Sequence, residues 1–214
     1  MTTSDSPITS ARNYYDVHES EDGDLRMKTR LFTYATDKGL VAGSSTNVMF
    51  TVKHPASVVW PILKDFNLWQ NDADHFYSKA VGDCENGERF FLEEREQSQD
   101  SETEKEWYEV LGVVPEYLFV VKQPPVTEGV SPGLPGLGGV SPGFHVFMLS
   151  QFGSECVVTI TMEHASYAAY DHDTTDDEAL EAWRQVAPEW SPKWRESFVP
   201  VLKQLADEAA QGAS

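Results

Sequence analysis

The stretch VMFTVKHPASVVWPILKDFNLW, residues 48–69, contains the change of periodicity that decides the fold. Its first part belongs to an alternating, β-branched run, TNVMFTVKH at 46–54, which reads as a half-buried strand. His54 precedes Pro55, and a residue before proline is pushed out of the helical region, so the strand ends there. Over residues 55–66 the spacing becomes helical. Val58 or Val59, Ile62 and Leu63 share a face, and Pro61 stands where a helix kinks or restarts. A short second helix is predicted around residues 67–71.

Downstream the period returns to two. Segments 76–84, 89–97, 105–114 and 117–123 read as strands, and Glu85-Asn86-Gly87-Glu88 reads as a hairpin turn because Asn-Gly tolerates positive φ. Two more strands, 144–152 and 155–163, flank the turn Gly153-Ser154. Between these groups lies QPPVTEGVSPGLPGLGGVSPG at 123–143, where GVSPG occurs at both 129–133 and 139–143. So much glycine and proline predicts a lid-like loop over 124–143.

The last fifty or so residues read as helical. Thr175 caps a first helix with acids in its opening turn and Leu180 and Trp183 on one face, and Pro188 stops it. Ser191-Pro192 then opens a long amphipathic helix bearing Trp194, Phe198, Val201 or Leu202, Leu205 and Ala209, bent locally by Pro200. Residues 1–24 are polar, acidic and aperiodic, and predict a mobile or loosely docked arm; residues 25–41 suggest an extra strand or hairpin. The division is an N-terminal extension over 1–45 and a main domain over 46–214. No helix follows each strand, as a βαβ fold requires, so the class is α+β.

The chain of 214 residues carries 16 Lys+Arg against 35 Asp+Glu, a formal charge of −19. That balance argues against nucleic acid or an anionic membrane as partner, since both bind through basic surfaces. Six Trp, eight Tyr and eleven Phe supply a sizeable core and exclude disorder of the whole chain. Two cysteines, Cys84 and Cys156, are too few for a disulfide scaffold and fit a reduced, cytoplasmic protein. The first twenty residues lack a signal-peptide pattern, and the apolar stretch 110–121 is broken by Pro115 and Glu116, too short to span a bilayer.

Three segments carry a family resemblance. Residues 48–69, with the Pro-Ala step, the helical Trp60 and then Asp65 and Trp69, resemble the opening of the START/Bet v 1-like superfamily, which includes polyketide cyclase/dehydrase and lipid-transport proteins. VLGVVPEYLFVVKQ (110–123) and WRESFVPVLKQLADEA (194–209) are similar to its middle and end, so the resemblance spans 46–210. It implies a helix-grip fold, with a curved antiparallel sheet of six to seven strands wrapped around a long C-terminal helix and two short helices after the first strand. It implies an apolar pocket among the short helices and loops. The expected function is binding of a small hydrophobic or aromatic molecule, with polyketide-cyclase-like cyclisation or dehydration as the catalytic form. The alternatives are a non-catalytic carrier or sensor of a lipid-like ligand and a chaperone-cofactor-like protein-binding module. No cofactor is expected, and oligomeric state is open.

Candidate site residues follow from alternation and from this resemblance. On the strand through 155–164, Cys156, Val158, Ile160, Met162 and His164 share the more apolar face, which places His164 as a general base or ligand holder. It also reads as a hydrogen-bonded strand-end histidine. His145 follows the loop and alternates with Phe147; either face is open to it. Tyr108 is a phenol on a central strand, and Tyr167 lies in SYAAYDHD; both read equally as aromatic packing. The resemblance implies an inward arginine from this part of the sheet, for which Arg89, or Arg95 on the same strand face, is the candidate, against a surface pair with neighbouring glutamates. Trp60, Trp69, Phe91, Phe147, Met162, Tyr167, Trp194 and Phe198 are the expected ligand-lining residues. Asp72-Ala73-Asp74-His75 and Asp171-His172-Asp173 lack metalloprotease and EF-hand spacings, so no metal is expected. Neither a P-loop lysine motif nor a G-x-S-x-G elbow is present.

Overall fold

The structure, a computed structural model, describes residues 10–36, 39–70, 75–94, 106–122, 138–169, 174–186 and 190–212, with backbone alone at 75, 92–94, 106–107, 138–142, 166–169, 182, 186 and 190–191. Among the described residues nine antiparallel strands form one sheet: β1 Asn13–Asp22, β2 Leu25–Ala35, β3 Leu40–Val52, β4 His75–Tyr77, β5 Arg89–Glu94, β6 Glu106–Val114, β7 Leu118–Lys122, β8 Gly138–Phe152 and β9 Glu155–Ala169. Their order is β1-β2-β3-β9-β8-β7-β6-β5-β4, so β9 returns to lie beside β3 at the centre. Between β3 and β4 stand α1 Ala56–Leu63 and α2 Phe66–Trp69; after β9 come α3 Asp176–Val186, α4 Trp190–Lys193 and α5 Val199–Gly212. This is an α+β helix-grip fold. No described helix is long and apolar enough to cross a membrane.

Several boundaries differ from the sequence reading, each for a local reason. The sheet has nine strands rather than six to seven because most of the N-terminal extension is sheet. Residues 13–22, read as part of a loose arm, pair with β2 from Asn13↔Thr33 to Asp22↔Leu25. Strand β1 is an exposed edge whose residues are nearly all solvent-facing, so it has no apolar period to detect. The strand expected over 76–84 ends at Tyr77, and a single tight helical turn, Val81–Asp83, takes its place. Strand β8 starts at Gly138, inside the stretch read as loop. Its ladder breaks between Ser141 and Phe144, where Pro142 has no N–H to give. Residues 123–137 lie outside the described part. The bend expected at Pro200 is a wide π-type turn, Trp194–Phe198, ending two residues before it; the missing proline N–H and the ring's clash with the preceding turn favour such a break.

Alternation places the core. On β3, Val48, Phe50 and Val52 face inward with Val158, Ile160 and Met162 of β9 and Phe147 and Leu149 of β8, against α1, α2 and α5. A second cluster lies further along the same face: Leu31 of β2 and Ala42 of β3 packed under Ala179, Leu180 and Trp183 of α3. The opposite face carries a third, made of Phe32, Tyr34, Val41 and Ala165.

Candidate functional site

Between the two inner clusters the concave face turns polar. Thr29 of β2 pairs with Thr46 of β3, and their buried hydroxyls lie 3.0 Å apart. One rung along, buried Ser44 of β3 stands opposite His164 of β9. His145 of β8 is paired with Met162, so it sits diagonally beside His164; the ring centroids are 5.0 Å apart and the planes are tilted 73°. Across β7, Tyr108 of β6 brings its ring within 5.8 Å of His145 and stacks on Phe90 at 5.2 Å. The result is a transverse belt, Thr29, Thr46, Ser44, His164, His145 and Tyr108, between two apolar floors.

The electrostatics follow from burial. Removal from water pushes the His164 imidazole down to about 4, with nearby Glu163 acting weakly in the other direction. His145 is pushed well below the ordinary histidine value by burial and then by His164 beside it. Both rings are therefore neutral near pH 7, each with one donor and one acceptor nitrogen. The Nε2 of His145 is closed off from solvent and has no hydrogen-bond partner among the described residues.

The back of the strand holds His164 in place. Glu163 faces outward and accepts two hydrogen bonds from Arg12, at 2.8 and 2.9 Å, while the Arg12 guanidinium lies 4.1 Å over the Phe32 ring. Gly43 is paired with Ala165, and a Cβ there would lie 2.3 Å from the His164 carbonyl oxygen and 2.6 Å from the Phe32 ring. Only glycine lets β3, β9 and Phe32 approach this closely.

Of the sequence candidates, His145, His164 and Tyr108 are brought together. Arg89 is not: Phe90 is the inward residue of β5, fully buried opposite Tyr108, which turns Arg89 and Phe91 to the exposed face. That corrects the proposed roles of both, since the sequence allowed either parity for β5 and the pairing with β6 selects one. Tyr167 lies on β9 rather than in a connection, and its side chain is outside the described set. Trp60, Trp69, Phe147, Met162 and Trp194 are buried in the main core, and Phe198 is half-buried against it. Phe147 stacks on Phe119 at 4.3 Å, Trp60 meets Phe119 at 5.5 Å, and Trp69 meets Trp194 at 5.8 Å and Phe198 at 5.9 Å. Trp69 also donates its indole N–H to the Leu63 carbonyl at 2.9 Å. These rings chiefly fill the α1–α2–α5 end against one another.

The belt residues Thr29, Ser44 and Thr46 and the roof residue Trp183 were not picked out as site residues. A threonine on a strand looks the same whether its face is buried or wet, so no sequence signal marked them. Residues 71–74 and 171–173, which contain most of the two acidic clusters considered for metal, lie outside the described residues.

No protein-family model matches the sequence, and no curated protein matches it. Solved structures do. A protein of unknown function from Staphylococcus aureus aligns over 78% of this chain and 96% of its own, with a TM-score of 0.50 and 8% identity. Given the strand order and the helices that cap the inner face, this similarity settles the architecture. The chain has a helix-grip fold. Two other matches share less of the geometry. Norcoclaurine synthase from Thalictrum flavum, solved with dopamine and hydroxybenzaldehyde, aligns over 78% of this chain and 88% of its own at 13% identity and a TM-score of 0.48. DynU16, from the dynemicin biosynthetic locus, is 16% identical, with 75% of this chain and 46% of its own covered and a TM-score of 0.43.

Proposed function

We propose that this protein binds a small hydrophobic or aromatic molecule against the concave face of the sheet and holds its polar atoms on the belt of His145, His164 and Tyr108. The observation that carries this reading is the pair of inward imidazoles on adjacent strands, 5.0 Å apart, with a phenol next to them. A buried polar atom without a partner costs about 1–3 kcal/mol, and His145 Nε2 is one such atom among the described residues, so its place in an otherwise apolar interior is explained best by use. The apolar surroundings supply the affinity, and the belt supplies orientation.

A second reading, acid/base cyclisation or dehydration of a polyketide-like substrate, is favoured over a plain carrier by the same convergence of ionisable groups. Burial limits what it can be. A histidine held near 4 is a weak base at neutral pH, so its contribution would be hydrogen bonding to an enol or phenol as charge develops there. Arg89, on the other face, has no part in either reading. The two free, buried cysteines fit a cytoplasmic setting.

Native mass spectrometry of the purified protein tests the binding reading. A co-purified small molecule is expected on the wild type and depleted in His145→Leu. Absence of any adduct, together with failure to bind a panel of aromatic probes, would overturn it. For the catalytic reading, unchanged turnover in both His145→Ala and His164→Ala removes the pair from the mechanism.

A further inference from the structure

The outer face of the sheet is covered unevenly. Towards one end Phe32, Val41 and Ala165 are buried together, with the Arg12 guanidinium laid over the Phe32 ring. Midway along β6, β7, β8, β9 and β3 the outward side chains belong to none of the three buried clusters. Strand register aligns them in two rungs. The first runs Val114, Leu118, Met148, Thr159 and Met49, and the second Val120, Val146, Thr161 and Asn47. Met49 is 39% and Val114 48% exposed, and Leu118, Val120, Val146 and Met148 are half-buried. Thr161 donates to the Asn47 side chain at 2.9 Å, so polar members of the second rung satisfy each other.

None of these residues is charged, in a chain with 35 acidic and 16 basic residues. The wet face of an antiparallel sheet ordinarily alternates to polar side chains, and a contiguous apolar surface marks an interaction site. Charges stand at the ends of the rungs instead. Arg26 of β2 closes the first and Lys28 the second. Lys28 is held by Glu19, whereas Arg26 comes no nearer than 3.9 Å to Glu21, both groups being exposed. At the opposite flank Glu116 is exposed in the turn between β6 and β7. One flank therefore ends in a loosely held cation and the other in an acid.

We infer that a second copy of the chain docks on this face, sheet against sheet, about a twofold axis running along the strands, which brings Arg26 of each copy to Glu116 of the other. Such an axis turns one flank of the face onto the other, so an identical chain supplies both the matching apolar rungs and the complementary end charge. A highly charged partner gains nothing from an uncharged centre. The size also fits. Six strands from β6 to β2 at about 4.8 Å spacing, over the length from Phe144 to Ser150 at about 3.4 Å per residue, give about 600 Å² per copy, hence about 1,200 Å² in all, where specific stable interfaces begin. The concave face and its histidine belt stay free, so the inference does not depend on the binding reading.

Sedimentation equilibrium of the full chain tests this, in about 0.15 M salt, which screens repulsion between the two −19 chains beyond about 8 Å. Over roughly 1–100 μM the wild type should rise in mass from 24.0 kDa towards twice that. Met148→Lys should weaken the association at least about tenfold, because it places a charge in the centre of the face. Arg26→Glu and Glu116→Arg should each weaken it by about threefold to tenfold, and the double variant should restore it to within about twofold of the wild type. A wild type that stays at 24.0 kDa at the highest concentration overturns the inference. So does a dimer that Met148→Lys leaves intact, or one that the double charge reversal does not rescue. Should Met148→Lys fail to fold, Met49→Lys, at an exposed position of the same rung, replaces it. Protection of Met49 and Met148 from oxidation in a monomeric wild type would show another part of the same chain on this face, and overturns the inference equally.

Discussion

The concave face has two ends built on different principles. At the α1–α2–α5 end, Phe66, Trp69, Phe119, Phe147 and Trp194 are all buried and in ring contact, with Phe66 alone meeting Trp69, Phe90, Phe119 and Phe147 within about 6 Å. At the other end α3 covers Leu31 and Ala42 with Ala179, Leu180 and Trp183, its buried side chains among the described residues, and polar ties add to the hold. Tyr15 donates to Asp176, and Arg184 bridges Asp16 of β1 and Asp177 at 2.7 and 2.8 Å. The polar belt lies where one regime gives way to the other. One end is a foundation of interlocked aromatic rings, and the other is a cover whose small apolar patch is supplemented by exposed polar ties, the kind of element that opens first.

The largest effect should come from breaking the foundation. Phe147 is fully buried and stacked on Phe119, so Phe147→Ala should cost about 3–5 kcal/mol in chemical denaturation. A loss under about 1 kcal/mol would mean that end is not tightly packed.

Acidification probes the belt. His164 is held at about 4 in the folded state against an ordinary 6.5, so the unfolded chain takes up its proton first as pH falls. Stability from its neutral burial is complete above about pH 6.5 and is lost between there and about pH 4, by roughly 3 kcal/mol, with His145 acting in the same direction. His164→Gln should flatten that part of the stability–pH curve. An unchanged slope would show that His164 titrates normally and is not buried.

Behind the belt, Gly43→Ala forces a methyl group against a backbone oxygen and should destabilise by about 1–3 kcal/mol, with the His164 resonances shifting in NMR spectra. The smallest effect is expected at the cover. Arg184→Ala removes exposed ion pairs and should leave global stability nearly unchanged. It should still accelerate amide hydrogen exchange in α3 relative to α5. Equal exchange in both helices would erase the distinction between the two ends.

Much of this was readable from local pattern. The strand-to-helix switch at Pro55, the Asn86-Gly87 turn, the inward face of β9 and the amphipathic C-terminal helix all follow from periodicity and backbone chemistry, and all are present. His164 was legible because Val158, Ile160 and Met162 mark its face as the apolar one. Arg89 was misplaced because β5 is charged and aromatic on both faces, and only its register against β6, Phe90 opposite Tyr108, selects the inner one. Strand β1 was missed because an edge strand with both faces wet needs no hydrophobic alternation.

By itself, then, the sequence determined the class of the fold, the net acidic charge and the inward parity of β9, since these depend on composition and on neighbours a few residues away. The meeting of His145 with His164, the burial of Thr29, Ser44 and Thr46, and the placing of Trp183 beside them were decided by the tertiary structure alone. Each depends on the register between strands far apart in the chain and on which helix covers which rung, and neither is encoded in any local period.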